Sequence, residues 1–212
     1  MYQTKSQPFL KNPVKEIDFD PSSEIYPSYF GAGWTKVYIE KMCEFYSRLG
    51  RTKHYVIRHS NIYGPHDKYD LKNSHVFGAT ISKVLNKDSN IVSIWGDGSE
   101  ERDLLYISDL VDSVKKIIST KDMNPFYLFN IGSGKAISIK DLVCKIVEIA
   151  GVKDKKIVYE QSEPTVKTSI ALDCSKAKLM LGWQPNISLE VGIKKTILWY
   201  KKMSINDKLG AN

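Results

Sequence analysis

Apolar positions recur along this chain in two alternating rhythms. Between residues 34 and 49, Val37, Ile39 or Glu40, Cys43 and Tyr46 fall at helical spacing on one side and Gly50 offers a stop, so the pattern predicts a helix there. HYVIR at 54–58 is a short apolar run after a basic turn and predicts a buried parallel strand. Further helices are predicted over 75–87, 108–119, 138–150, 174–181 and 188–203, with strands at 91–95 and 126–131. Ser138 is placed to cap the 138–150 helix, and Asp173 and Ser188 to cap the last two, with Val191 in the first turn of the final one. Helices alternating with short strands point to an α/β protein.

Composition narrows the function classes. With 212 residues, 42% of them hydrophobic, the chain can bury a core as one domain or a little more. No run reaches the roughly 18–20 apolar residues that cross a bilayer, and the polar start MYQTKSQ lacks the apolar centre of a secretory signal. A cytoplasmic location is therefore expected, with no membrane partner. The three cysteines, Cys43, Cys144 and Cys174, are odd in number and far apart, which favours reduced structural thiols over a disulfide framework or a zinc site. The formal charge of +7 comes from lysines mixed with Asp and Glu along helical segments. That distribution fits a solvated surface or an anion-binding cleft, and it does not fit nucleic acid.

Chemistry enters through seven short stretches in a fixed order: GWTK at 33–36, RHSNIYGPHD at 58–67, SHV at 74–76, WGDG at 95–98, RDLLYISDL at 102–110, NIGSG at 130–134 and SKAKLMLGWQP at 175–185. With these residues, positions 22 to 203 resemble the C-terminal two-thirds of the extended short-chain dehydrogenase/reductases, the NAD-dependent epimerase/dehydratase family that modifies nucleotide-linked sugars. Within it the chain is most similar to GDP-L-fucose synthases, with GDP-mannose epimerases close behind. The resemblance implies the C-terminal part of a Rossmann-type doubly wound parallel sheet plus a smaller α/β substrate-binding domain. Residues 1–61 would be a remnant of the NAD(P)-binding domain, and 62–212 mainly the substrate domain with some segments returning to the sheet.

The same resemblance implies roles for particular residues. Lys36 matches the lysine that lowers the pKa of a catalytic tyrosine one helical turn earlier and holds the cofactor ribose. Ala32 occupies the tyrosine position, and neither Tyr29 nor Tyr38 has the one-turn spacing to replace it. His75 matches a histidine that donates or accepts a proton beside a keto group, work that suits an imidazole as a residue type. The alternative for His75 is a helix-capping or core histidine. Asn61, Val76, Lys83, Trp95 and Arg102 match the contacts to the nucleotide sugar, with Arg102 on the pyrophosphate and Trp95 beside the base. Asn61 is also a candidate cofactor contact. The bland alternatives are pairing of Arg102 with Glu100 or Asp103, and a core position for Trp95. Ser169 and Ile170 stand where the family places a basic residue, with Lys167 slightly earlier. Tyr2 aligns just beyond the strand that carries the family's remaining catalytic groups.

NIGSG invites a phosphate-cradle reading, but a dinucleotide fingerprint needs GxGxxG after the first strand, and the sequence contains none. A tight structural turn is expected instead. The family's cofactor is NADP or NAD, and tight binding by this chain alone is not expected. The overall expectation is a GDP-L-fucose-synthase-like epimerase/reductase, inactive as this chain, with a GDP-sugar or other nucleotide sugar as ligand and a homodimer formed through helix 34–49. Two alternatives stay open: a UDP- or dTDP-sugar 4-epimerase or 4,6-dehydratase-like fragment, and a non-catalytic binding or dimerisation module. No metal is expected.

Overall fold

The computed structural model describes residues 12–20, 22–121, 124–161 and 169–209, with side chains for all of these except Ser28 and 204–209. The elements in order are α1 (Phe30–Ser47), β1 (His54–His59), β2 (Asn61–Tyr63), α2 (Val76–Leu85), β3 (Ile91–Trp95), β4 (Glu101–Tyr106) and α3 (Ile107–Ser119). They continue with β5 (Phe126–Ile131), β6 (Ala136–Ser138), α4 (Ile139–Ala150), β7 (Lys156–Glu160), α5 (Ser175–Leu181) and α6 (Leu189–Leu209). The expected α/β class and the parallel pairing of a Rossmann-type sheet are both present. β1 pairs in parallel with β5, β2 with β4 and β3 with β7, and β6 runs antiparallel to β4.

β4 divides the interior. Because side chains alternate across a strand, Leu104 and Tyr106 face one apolar cluster with Tyr63, Phe77, Leu142 and Ile193, while Leu105 faces a second with Phe129, Ile131 and Trp183. Trp183 is fully buried, and its indole N–H donates to the Asp109 carbonyl at 3.0 Å. The Asp109 carboxylate in turn accepts from the Ile187 amide at 3.0 Å, which fixes the turn leading into α6.

Several local signals work as read and others do not. Ser138 caps α4, its hydroxyl accepting from the Asp141 amide at 3.0 Å, and Gly151 ends that helix in the left-handed region at φ 68°. Ser188 caps α6 through the Val191 amide at 3.3 Å. The cap position of α5 is Cys174 rather than Asp173, although the Asp173 carboxylate still reaches the Ser175 amide at 2.8 Å. Helix α1 begins four residues before the expected start. Its inward side is Gly33, Val37, Glu40 and Ser47, whereas Ile39 and Tyr46 face outward. Glu40 is inward because it meets Arg58 of β1: Nε donates to Oε1 at 2.9 Å and Nη2 to Oε2 at 2.7 Å, while Nη1 donates to the Glu16 carbonyl at 3.0 Å. The guanidinium also lies 4.8 Å from the centre of the Phe19 ring.

The leading segment is fastened to the far end of the sequence. Val14 pairs in parallel with Leu172, exchanging backbone bonds with Ala171 and Asp173 at 2.8 Å each. The Asn130 side chain donates to the Val14 carbonyl at 2.9 Å, and the Asn130 amide donates to the Glu16 carboxylate at 2.7 Å. Cys43, Cys144 and Cys174 are all free thiols, Cys43 and Cys174 half-buried and Cys144 exposed. Among the described residues no helix is long and apolar enough to cross a membrane, and no group of three or more His, Cys, Asp and Glu is placed to hold a metal ion.

Candidate functional site

Helix α1 is entered through a 3-10 turn, Pro27–Tyr29, and leans on Ile25 at Gly33, where a Cβ would stand 2.7 Å from Ile25 Cδ1. Ala32 and Lys36 lie one turn apart and are both exposed. The charge of Lys36 reaches His59, the last residue of β1. His59 Nδ1 bonds the Ser60 carbonyl at 2.8 Å. Its pKa lies below 6.5, first because the ring loses part of its water, against the pull of the Ser60 bond, and to a smaller extent through the Lys36 charge. His59 is a residue that motif spacing did not single out. It sits between a buried strand and the matched asparagine, where only its place at a parallel strand end could have singled it out.

A histidine whose folded pKa is lowered favours the neutral ring in the fold. The stability it contributes is fully present above the ordinary value of 6.5 and is lost as pH falls through the lowered value. Replacement of His59 by Asn is therefore expected to reduce the drop in urea-unfolding midpoint between pH 8 and pH 5. Parallel pH profiles for the two chains would refute this.

On the next strand, the Asn61 amide donates to the Asp103 carbonyl at 3.1 Å, which ties β2 to β4 at the mouth of the site. Asp103 itself is buried. Its carboxylate accepts from the Ser133 amide and hydroxyl at 2.8 and 2.7 Å, the Gly134 amide at 3.2 Å and the Leu172 amide at 3.0 Å. The NIGSG stretch is thus a structural turn pinned on Asp103, with Gly134 at φ 77°. Its amides are spent on a carboxylate inside the fold, so they do not cradle a phosphate.

The remaining matched residues are spread along strands and one helix start. Arg102, half-buried on β4, donates from Nη1 to the Glu101 carbonyl at 2.8 Å. The Asp103 carboxylate faces the opposite way and does not pair with it. Trp95 ends β3 and is 56% exposed, which removes the core reading. Lys83 turns toward β3: its ammonium donates to the Ser93 carbonyl at 2.8 Å and hydroxyl at 3.1 Å, and burial lowers its pKa against the pull of Glu160. His75 is the N-cap of α2 by position, but its ring makes no capping bond and is exposed, and Val76 opens the helix half-buried behind it. A cavity of about 550 Å³ runs along Leu104, Ile137 and Lys135 to the Lys145–Glu190 ion pair at 2.7 Å. Ile137 lies directly across the strand pair from Arg102. Tyr2 and Lys167 lie outside the described residues.

Comparison with known proteins follows the same outline. The family model described as "NAD dependent epimerase/dehydratase family" matches residues 18–132. A GDP-L-fucose synthase of Sinorhizobium fredii is 33% identical over 194 residues, covering 90% of this chain and 59% of the relative. A probable GDP-L-fucose synthase 1 of Oryza sativa subsp. japonica is 32% identical over 205 residues, covering 95% and 60%. Among solved structures, UDP-glucose 4-epimerase of Thermotoga maritima with UDP-glucose superposes with a TM-score of 0.76 at 29% identity, covering 92% of this chain and 59% of that one. The chain spans about three-fifths of the length of the relatives it matches.

Proposed function

Because this chain belongs to the NAD dependent epimerase/dehydratase family, we propose that it forms the nucleotide-sugar-binding part of a GDP-L-fucose-synthase-like epimerase/reductase and carries no hydride chemistry of its own. The observation behind this reading is the pairing on α1. Lys36 is exposed on the helix, and alanine occupies the position one turn before it, where a phenol would be needed to donate or accept the proton at the sugar oxygen. Ala32 has no ionisable group and cannot take that role.

Lys36 suits the ribose end of NADP or NAD, which when bound would supply hydride exchange. The NIGSG amides do not suit the pyrophosphate, since Asp103 holds them. Dinucleotide binding by these residues alone is therefore weak. For the nucleotide sugar, Arg102 is the anion contact and Trp95 the exposed ring for the base. Lys83 contributes less than its spacing suggests, because Ser93 occupies its ammonium. His75 presents an exposed imidazole for a proton beside a keto group, and the soluble, cytoplasmic setting expected of such an enzyme follows with this reading. A second copy of the chain would cover the exposed Tyr38, Ile39 and Phe45 of α1, pairing helix with helix about a two-fold axis.

Ligand-observed saturation-transfer NMR with GDP, UDP, dTDP and NADPH is the test. Transfer to GDP is expected, and Arg102→Ala should weaken it about tenfold or more, as the loss of a hydrogen bond to a charged group implies. Preferential transfer to UDP or dTDP would replace this reading with the 4-epimerase/4,6-dehydratase one. Transfer to none would remove nucleotide-sugar binding altogether and leave the assembly module.

A further inference from the structure

The loop at 64–75 joins the strand carrying Asn61 to the helix that begins behind His75, and two features of it need an outside support. Gly64 and His66 both have positive φ, 147° and 66°, and for His66 this is the sparsely populated left-handed region. His75, at the other end, has an exposed ring without a capping bond, so its place is set by its backbone alone. The support comes from α6. The His66 ring lies 4.8 Å from the Trp199 ring, Tyr69 lies 5.5 Å from Trp199 and 5.0 Å from Tyr200, and the Tyr69 hydroxyl donates to the Gly64 carbonyl at 2.7 Å. Ser82 of α2 donates to the Tyr69 carbonyl, and its hydroxyl lies 3.3 Å from that of Tyr200. Gly78 lets the Lys68 carbonyl sit against α2 where any Cβ would collide with it. The loop closes on itself through the Ser74 amide to the Asp70 carbonyl at 3.0 Å, and α2 starts from the His75 carbonyl, which accepts from Ala79 at 2.9 Å.

We infer that Trp199, with Tyr69 and Tyr200, is a positioning residue: it clasps the 64–75 loop onto α6 and thereby sets where the His75 imidazole stands over the site. The inference deepens the functional reading and rests on it for what His75 does.

The full chain with isotope-labelled histidine should give four imidazole signals, one per histidine, and His75→Gln identifies that of His75. Trp199→Ala is expected to shift the His75 signal and to lower hydrogen-exchange protection of the Ser74 and Ala79 amides by about tenfold, with the His54 and His59 signals on β1 unmoved. Trp199→Phe keeps an aromatic face and should leave His75 in place. A Trp199→Ala chain in which only His66 moves overturns the clasp. Should that variant unfold, marked by movement of His54 and His59 as well, the milder Tyr69→Leu removes the ring that faces Trp199 and Tyr200 together with its hydroxyl bond to Gly64, and an unmoved His75 signal there overturns the clasp instead. A wild-type His75 signal indifferent to a GDP-sugar defeats the functional reading while leaving the clasp standing.

Discussion

Arg58→Ala is expected to lose about 3–5 kcal/mol, the penalty typical of breaking a buried ion pair from one side. Domains of this size are stable by only about 5–15 kcal/mol, so the variant should keep its fold with a much smaller margin. The cost arises because the Arg58 and Glu40 side chains are 7% and 10% exposed, and the carboxylate left behind would keep its burial and lose both arms of the fork. The Glu16 carbonyl loses its donor at the same time. A joint replacement, Arg58→Met with Glu40→Met, removes both charges and should recover most of the loss. Urea-unfolding midpoints of the two single variants and the double variant decide it. A single variant within about 1 kcal/mol of the parent chain would mean that water reaches the pair.

Asp103→Ala should be nearly as severe, about 3 kcal/mol or more. It orphans the buried Leu172 amide, which costs about 1–3 kcal/mol when unmade, together with the half-buried Ser133 and Gly134 amides, which add less because water reaches them. Asp103→Asn keeps one accepting oxygen and should fall between the two. Because Asp103 fastens the 132–134 turn and residue 172 to the strand that bears Arg102, the Ala variant should also lose GDP binding. Unaltered GDP saturation transfer in a folded Asp103→Ala chain would detach the turn from the site.

The parts of this molecule that a reader of the sequence finds are those where side-chain chemistry and backbone geometry agree. HYVIR and FYLFNI form the parallel β1–β5 pair, and Ser138 opens α4. β4 escapes notice because ERDLLY begins with three charged residues, which belong there for separate reasons: Arg102 bonds the Glu101 carbonyl and Asp103 gathers amides. β7 is hidden between lysines and acids, and β2 and β6 are three residues each, too short to show a period. In the site, one-turn spacing alone places Ala32 beside Lys36. Spacing could not reveal that Lys83 bends to Ser93, since that depends on how the helix bearing Lys83 packs against β3. Glu40 was ambiguous as an inward residue for the same reason, its partner lying 18 positions away.

The bridge between Val14 and Leu172 also sets a schedule for synthesis. A chain growing from its N-terminus has Val14 and Glu16 early, but their partners at 130 and 171–173 arrive only when most of the sequence has been made. Until then Val14 lacks its bridge partner and, of these contacts, only the bond from Arg58 to the Glu16 carbonyl can form, while helix-rich local segments already can. Its docking is accordingly a late event in folding, and a ribosome stalled before residue 172 would hold a chain whose first segment stays open to proteases.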